Sequence, residues 1–459
     1  MRQDAPRRHL SGFDAVCIIV GIIVGAGIFG LPQLVAAASG SAAAMLGVWV
    51  AGGILCLCGA LTYAELTTAY PDLGGEYVFL RRAFGPTVGF LFVWSRATVI
   101  QTGSIAAVAC VFGIYAARLM NLGPPAPMIA AAAAVVVLTA CNVIGVRAGK
   151  WTQNVLTLAK IGGVLAVAAT GLVLARPAPA ASPAPEAPGP TWTWQGLGFA
   201  MIFVLFTFGG WNEAAYVAGE LRRRRRTMLG VLLVSIGLVT VLYLGVNVAY
   251  LRALGLEGMV KSKAVAAETA AAAFGEAGAA AVSLLVAVSA LGAVDGCIFT
   301  GSRAICALGG DFPVFGRLGR WHPRFRTPAN AILVQSAIAI VLILLPGMGQ
   351  RLQDLLGSDL EAAVSYTAPV FWAFLLLTGA SVFILRYRDP DRERPFRVPL
   401  APLTVGAFCL ASGYMLYRSI LYRTASPLVG LAVLLAGLPL LAVSGGGPGD
   451  RARCQGAGG

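Results

Sequence analysis

Long runs of apolar residues alternate with short polar segments along most of the chain. A transmembrane helix needs about 20 mostly apolar residues, and windows of that length fit the runs. The pattern therefore predicts an all-α polytopic membrane protein with twelve transmembrane helices. Their approximate spans are 13–37, 42–69, 86–119, 126–147, 152–175, 192–219, 227–254, 278–308, 327–347, 361–386, 400–419 and 425–444.

The composition agrees with a membrane protein. Apolar residues make up 58% of the 459 residues and charged residues only 12%, whereas a soluble domain has about 25% charged residues. The net charge of +14 would also suit nucleic acid, but the basic residues lie between the apolar runs, where they fit the lipid surface. We expect the lipid bilayer as the partner of these charges, and no nucleic acid.

Lysine and arginine are divided unevenly between the two sides of the predicted bundle. With the N-terminus in the cytoplasm, the cytoplasmic segments carry about three times as many as the external loops, which predicts that both termini are cytoplasmic. Two basic residues, Arg96 and Lys160, fall inside predicted helices. A lone cation in an apolar helix is costly and indicates function, although the side chain of Lys160 has the alternative of extending to the membrane surface.

Enzyme chemistry is not indicated by the residues available for it. Both histidines, His9 and His322, lie outside the predicted spans, and the sequence has no recognisable nucleophile–base pair, metal cluster or phosphate-binding loop. The nine cysteines lie mostly in or beside apolar runs, as small core residues do. We expect no enzyme activity, no cofactor and no metal.

Two glycine clusters interrupt the apolar pattern. Four glycines lie between Gly21 and Gly30, and Gly209-Gly210 lies in the middle of the predicted sixth helix. Each glycine in a helix interior costs about 0.5–1 kcal/mol relative to alanine. Such a cluster indicates either a helix that breaks at membrane depth, where its free backbone groups line a cavity or hold a ligand, or close helix packing through small residues.

The two clusters are five helices apart, and this odd offset places the corresponding helices in opposite orientations. Paired broken helices in two inverted units are typical of transporters with a midplane site, although chance clustering among 57 glycines is the alternative. The predicted organisation is a cytoplasmic N-terminus (1–12), a first five-helix repeat (13–175), a Pro- and Ala-rich external loop (176–191), a second, inverted repeat (192–386), a cytoplasmic loop with two further helices (387–444) and a disordered cytoplasmic tail (445–459).

The free ends of two half-helices suit a zwitterion. A half-helix that begins in the membrane offers N–H groups and a positive dipole end to an anion such as a carboxylate. A half-helix that stops there offers C=O groups to an ammonium. Backbone groups alone can therefore hold the part that all α-amino acids share.

Several motifs occur in order between residues 13 and 400. They include Gly25-Ala26-Gly27-Ile28-Phe29, Gly74-Gly75-Glu76-Tyr77, Phe206-Thr207-Phe208-Gly209-Gly210-Trp211-Asn212, Thr300-Gly301-Ser302-Arg303 and Arg326-Thr327-Pro328. This ordered set resembles the amino acid–polyamine–organocation superfamily, and within it L-type amino acid transporters and their bacterial relatives. The resemblance implies a LeuT-type fold, with five plus five inverted helices, helices 1 and 6 broken, and two extra helices.

The resemblance also implies roles for residues at the breaks. The N–H groups around Ala26, Gly27 and Ile28 would hold the substrate carboxylate. Phe206 would close over the substrate, and Asn212 would either line the side-chain pocket or steady the break. The C=O groups that would hold the ammonium are those of Ile22 or Ile23, Phe206, Thr207 and Gly209.

Three further positions bear on coupling. In sodium-independent relatives a lysine at the position of Lys160 takes the place of a sodium ion, so Lys160 would act as a fixed cation between helices 1 and 5 or as a proton carrier. Ala26 stands where many relatives have serine, which leaves only backbone at the carboxylate end. Asp295 stands where relatives often have asparagine, and it would add proton coupling or a cation preference, or serve as a structural residue.

The resemblance implies a secondary transporter of amino acids in the cell (inner) membrane, independent of sodium, acting by proton symport or by exchange. The alternatives are a transporter of polyamines or other organic cations with the same fold, and a channel or sensor on this scaffold. The loop from Asn121 to Pro127 has no cysteine, so we expect no disulfide-linked partner subunit. We expect a monomer or a weak oligomer.

Overall fold

The computed structural model describes residues 11–72, 74–120, 122–123, 125–174, 192–217, 224–262, 264–345, 360–422 and 426–443. The predicted external loop 176–191, the predicted tail 445–459 and most of the N-terminal segment 1–12 lie outside these residues. Every regular element in the described ranges is helical, which confirms the all-α architecture.

The helices follow one another with short connections. In chain order they are α1 (Gly12–Ile23), α2 (Gly27–Gly30), α3 (Pro32–Ser39), α4 (Ala42–Ala69), α5 (Glu76–Phe84), α6 (Pro86–Ser95), α7 (Gln101–Leu119), α8 (Ala126–Ile144), α9 (Val146–Ala169), α10 (Trp194–Thr207), α11 (Ala214–Val217), α12 (Arg224–Lys261), α13 (Val265–Asp311), α14 (Ala329–Leu344), α15 (Leu360–Arg388), α16 (Ala401–Tyr422), α17 (Ser426–Leu435) and α18 (Gly437–Val443). Two π-helical segments, Arg96–Ile100 and Thr170–Leu174, continue α6 and α9, and a 3₁₀ turn, Trp211–Glu213, follows α10.

Within the described ranges, nine segments are long and apolar enough to cross a membrane. They are Gly12–Gly30, Ala42–Ala69, Pro86–Ala117, Ala126–Ile144, Asn154–Val173, Trp194–Tyr216, Thr227–Lys261, Val265–Asp311 and Tyr366–Arg388. The predicted ninth and twelfth spans correspond to shorter apolar helices, Ala329–Leu344 and Pro427–Ala442, and the predicted eleventh span corresponds to α16. The chain is therefore a polytopic helical membrane protein.

Two helical regions extend beyond the predicted spans because a glycine bends them without ending them. Gly255 (φ 68°) and Gly275 (φ 60°) interrupt α12 and α13 in the left-handed region, which glycine enters at little cost. The predicted seventh helix ended at residue 254 and the predicted eighth began at residue 278, close to these bends. The helix α5 has no counterpart in the prediction, because it is amphipathic and too short to register as a membrane span.

An ion pair locks α4 to α15 at one end of the bundle. Arg386 donates two hydrogen bonds to the carboxylate of Glu65, at 2.8 and 2.6 Å, and the backbone N–H of Val398 donates a third at 2.7 Å. Glu65 is buried, so these donors replace the water that its charge would otherwise require. This contact lies on a different element from the helix breaks described below.

Close packing of α4 on the second break gives a first prediction. A Cβ atom on Gly59 would lie 2.5 Å from Cη2 of Trp211 and 2.8 Å from Cε2 of Phe408, whereas one on Gly47 of the same helix would meet no atom within 4 Å. Gly59→Ala should therefore lower the free energy of unfolding by about 1–3 kcal/mol through overpacking. Gly47→Ala should leave it unchanged or raise it by about 0.5–1 kcal/mol.

Thermal unfolding of the two purified variants in detergent measures this difference. Equal melting temperatures for Gly59→Ala and Gly47→Ala would contradict the packing of α4 on Trp211.

Candidate functional site

The first break separates α1 from α2. The helix leaves its regular path at Val24 (φ −75°, ψ 74°), and α2 begins again at Gly27. Within the described part of the chain, the backbone N–H groups of Ala26, Gly27 and Ile28 donate no hydrogen bond. Three consecutive free donors at the start of a half-helix form a site for an anion.

Side chains from three other helices take up the carbonyl groups that the first break exposes. The Nζ of Lys160 on α9 donates to Gly21. The hydroxyl of Tyr243 on α12 donates to Ile23 at 2.8 Å, and Ser289 on α13 donates to Val24 at 3.0 Å. These contacts stabilise an interrupted helix, because a backbone carbonyl without a partner is costly in an apolar environment.

The second break lies between α10 and the 3₁₀ turn. α10 ends at Thr207, the N–H of Gly209 turns back to the carbonyl of Phe206 at 2.9 Å, and Gly210 adopts φ 111°. A residue with a Cβ atom would be strained at this φ, which explains the glycine. The carbonyl groups of Gly209 here and of Ile22 at the first break accept no hydrogen bond from any residue that the structure describes.

The two breaks contact each other directly. A Cβ atom on Gly27 would lie 3.2 Å from the side chain of Thr207, and one on Gly210 would lie 2.6 Å from Cγ2 of Ile22. The hydroxyl of Tyr243, which donates to Ile23, also lies 3.2 Å from the carbonyl oxygen of Thr207. The predicted backbone residues of both breaks are thus brought to one place in the fold.

Asn212 lies in the 3₁₀ turn and is buried. The turn begins at Gly210 without a side-chain cap. The amide Nδ2 of Asn212 instead lies 3.4 Å from the carboxylate of Glu76. The contact ties the break to α5.

Lys160 and Asp295 are both buried in the described structure, with exposures of 0% and 1%. Extension of Lys160 to the membrane surface is therefore wrong as an interpretation. The carboxylate of Asp295 accepts a hydrogen bond from Nδ2 of Asn142 at 2.6 Å and interacts electrostatically with Lys160. The two residues place opposite charges behind the first break.

Gly292 provides the space that Lys160 occupies. A Cβ atom on Gly292 would lie 2.8 Å from Cε and 2.9 Å from Nζ of Lys160. The sequence analysis passed over this glycine, because only the tertiary structure places it beside the ammonium.

A buried ion network around Arg96 is the main feature that sequence reasoning left unplaced. Arg96 donates from Nη2 to both oxygens of Glu213, at 2.7 and 2.5 Å, and its Nη1 lies 3.7 Å from Glu76. Glu76 also accepts hydrogen bonds from the hydroxyls of Tyr63 and, at 2.6 Å, Tyr216. The position of Arg96 in an apolar helix signalled a buried partner, but the partner lies more than a hundred residues away in the chain.

A broken-helix pair with free amides, free carbonyls and a buried lysine defines the class of protein as a membrane transporter for a small zwitterion. Comparison with known proteins is in agreement: residues 10–437 match the model of the family described as amino acid permease. The chain belongs to this family.

Individual relatives agree with this assignment. The chain is 33% identical over 408 residues to the b(0,+)-type amino acid transporter 1 of Mus musculus, covering 87% of this chain and 80% of that protein. It is 28% identical over 437 residues to the serine/threonine exchanger SteT of Bacillus subtilis (strain 168), covering 95% and 96%. It is also 28% identical over 440 residues to the cystine/glutamate transporter of Homo sapiens, covering 94% and 84%.

The space beside Gly292 gives a second prediction. Gly292→Ala should displace the ammonium of Lys160 from the carbonyl of Gly21, because the flexible end of the lysine moves more easily than the helices. Amino acid uptake should fall by about tenfold, the factor that corresponds to roughly 1.4 kcal/mol, which is the scale of one hydrogen bond to a charged group.

Gly162→Ala is the matched control, since Gly162 lies on α9 beside Lys160 and a Cβ atom there meets nothing within 4 Å. Uptake by proteoliposomes containing each variant measures the effect. Normal uptake by Gly292→Ala would show that the position of the ammonium is unimportant.

Proposed function

We propose that the protein is a sodium-independent secondary transporter that exchanges amino acids across the cell (inner) membrane by alternating access. Membership of the amino acid permease family supports amino acids as the substrate class. Exchange is supported by the likeness to a bacterial serine/threonine exchanger over nearly the full length of both chains. The fine architecture we propose has twelve helices in inverted five-helix repeats, with both termini in the cytoplasm.

The observation that carries this proposal is the contact between two helix breaks with complementary free backbone groups. The substrate carboxylate binds the N–H groups of Ala26, Gly27 and Ile28. Charge-assisted hydrogen bonds of this kind are roughly twice as strong as neutral ones, so the backbone suffices without a side-chain cation.

The ammonium of the substrate binds carbonyl oxygens on both sides of the contact. Ile22 and Gly209 are the available acceptors at the breaks, since Ile23 and Phe206 already accept one hydrogen bond from Tyr243 and Gly209 respectively. A carbonyl oxygen has two lone pairs, so Ile23, Phe206 and Thr207 retain capacity for a second donor. Carbonyls of both broken helices thus contribute to the same ammonium.

Side chains at the breaks sort substrates by the part that varies. Ala26 adds no hydroxyl to the carboxylate end, so recognition there is by backbone. Phe206 is half-buried beside the second break and closes over the bound substrate. Asn212 steadies the second break through Glu76 and borders the side-chain pocket.

Lys160 acts as a fixed cation that replaces a bound sodium ion. Its ammonium holds the carbonyl of Gly21 one turn before the first break, as a coordinated cation would. Asp295 supplies the opposite charge in this apolar surrounding. The transporter works without a disulfide-linked subunit, as a monomer or a weak oligomer.

The exchange mechanism gives a third prediction. Proteoliposomes loaded with unlabelled amino acid should take up labelled amino acid at least about tenfold faster than empty ones, because the empty site returns across the membrane slowly. Neither a sodium gradient nor a pH gradient should replace the internal amino acid. Rapid uptake into empty vesicles under a pH gradient would instead establish proton symport.

The role of Lys160 gives a fourth prediction. Lys160→Ala should lower exchange by more than about tenfold, since it removes a charged hydrogen bond at the break and leaves the charge of Asp295 without its partner. A fixed cation predicts that the fractional loss is the same at every external pH tested.

Asp295→Asn serves as the comparison, because it removes the negative charge and keeps an oxygen for Asn142. It should retain more exchange than Lys160→Ala. Loss of pH dependence in Lys160→Ala alone would assign it the role of proton carrier instead.

A further inference from the structure

The ion network around Arg96 lies beyond the second break and has no part in the proposed binding of the substrate. It joins four elements of the fold: α4 through Tyr63, α5 through Glu76, the π-helical segment through Arg96, and the 3₁₀ turn through Glu213. Arg96, Glu76 and Glu213 are each 5% exposed or less.

The network is satisfied internally. Two carboxylates face one guanidinium, and the hydroxyls of Tyr63 and Tyr216 and the amide of Asn212 donate to Glu76. A buried ion network of this kind contributes little to stability compared with apolar residues of the same size. Its place in the fold therefore indicates a role in fixing geometry.

Arg96 holds the second half of helix 6 at two successive turns. Its bidentate hydrogen bonds fix Glu213, whose own N–H donates to the carbonyl of Gly210 at 3.1 Å. Its guanidinium also stacks on the ring of Tyr216, 4.1 Å from the ring centre. One side chain from helix 3 thus sets both the position and the rotation of the half-helix that begins at Gly210.

The backbone around Arg96 is itself irregular. Arg96–Ile100 forms a π-helical segment between α6 and α7. Such segments are rare and occur frequently at functional sites, because the extra residue reorients the side chains that precede it. This observation is independent of the hydrogen bonds.

We propose that Arg96 is a positioning residue for substrate binding: through Glu213 and Tyr216 it fixes the second half of helix 6, so that the carbonyls of the second break face the amides of the first. The inference rests on the proposed backbone site and adds the residues that align its two halves. Because the aligned groups bind the part common to all amino acids, a loss of alignment weakens every substrate by a similar factor.

Glu213→Gln tests the proposal with a small change. It keeps the shape of the side chain and leaves Arg96 with Glu76, so the remaining charges balance. We expect the KM for exchange of several amino acids with different side chains to rise by about tenfold each, with the maximal rate changed less than about twofold. Tyr216→Phe, which removes one hydroxyl and keeps the ring, should raise the KM values by a smaller, equally uniform factor.

Glu65→Gln is the matched control, because it makes the same chemical change in a buried bidentate ion pair with Arg386, away from the breaks. It should lower the melting temperature and leave the KM values as in the unmodified protein. Unchanged KM values for Glu213→Gln, or an equal rise for Glu65→Gln, would overturn the proposal. If Glu213→Gln does not yield folded protein, unchanged KM values for Tyr216→Phe would overturn it.

The design separates this inference from the proposed function. Exchange by the unmodified protein in the same vesicles tests the proposed function, and the KM ratios of the variants test the role of Arg96. A KM that rises for some amino acids and not for others would also contradict the proposal, since it would place Arg96 in the side-chain pocket.

Discussion

A backbone polar group at membrane depth has no water to satisfy it, and this constraint governs the structure around both helix breaks. At the first break, Lys160, Tyr243 and Ser289 supply donors to carbonyl groups that a continuous helix would have satisfied itself. The N–H groups of Ala26, Gly27 and Ile28 stay without a partner in the described chain. The fold thus stabilises one set of broken-helix groups and leaves another set for the substrate.

The constraint also explains why the two breaks come together. Each break alone offers groups of mainly one sign, amides at the first and carbonyls at the second, and an α-amino acid presents both charges a few ångströms apart. The contacts of Gly27 with Thr207 and of Gly210 with Ile22 bring these groups within the reach of one small molecule. Glycine at both contacts is required by close approach, and at Gly210 by its positive φ as well.

Local features of the sequence were sufficient to predict most of the helices. The apolar run 42–69 became α4 with the same bounds, and the glycine clusters marked both breaks within a few residues. Two features were beyond local reasoning for physical reasons. The helix α5 is half polar and packs on one face, so hydropathy does not detect it, and the partners of Arg96 are chosen by packing between distant parts of the chain. A buried charge announces that it has a partner, but its identity depends on the tertiary structure.

The most direct measurement of the central claim is an experimental structure of the protein with a bound neutral amino acid. The account predicts the substrate carboxylate within hydrogen-bonding distance of the N–H groups of Ala26, Gly27 and Ile28. It predicts the ammonium facing the carbonyls of Ile22 and Gly209. An amino acid whose carboxylate is held by a side-chain cation, or one bound away from the contact between the two breaks, would contradict it.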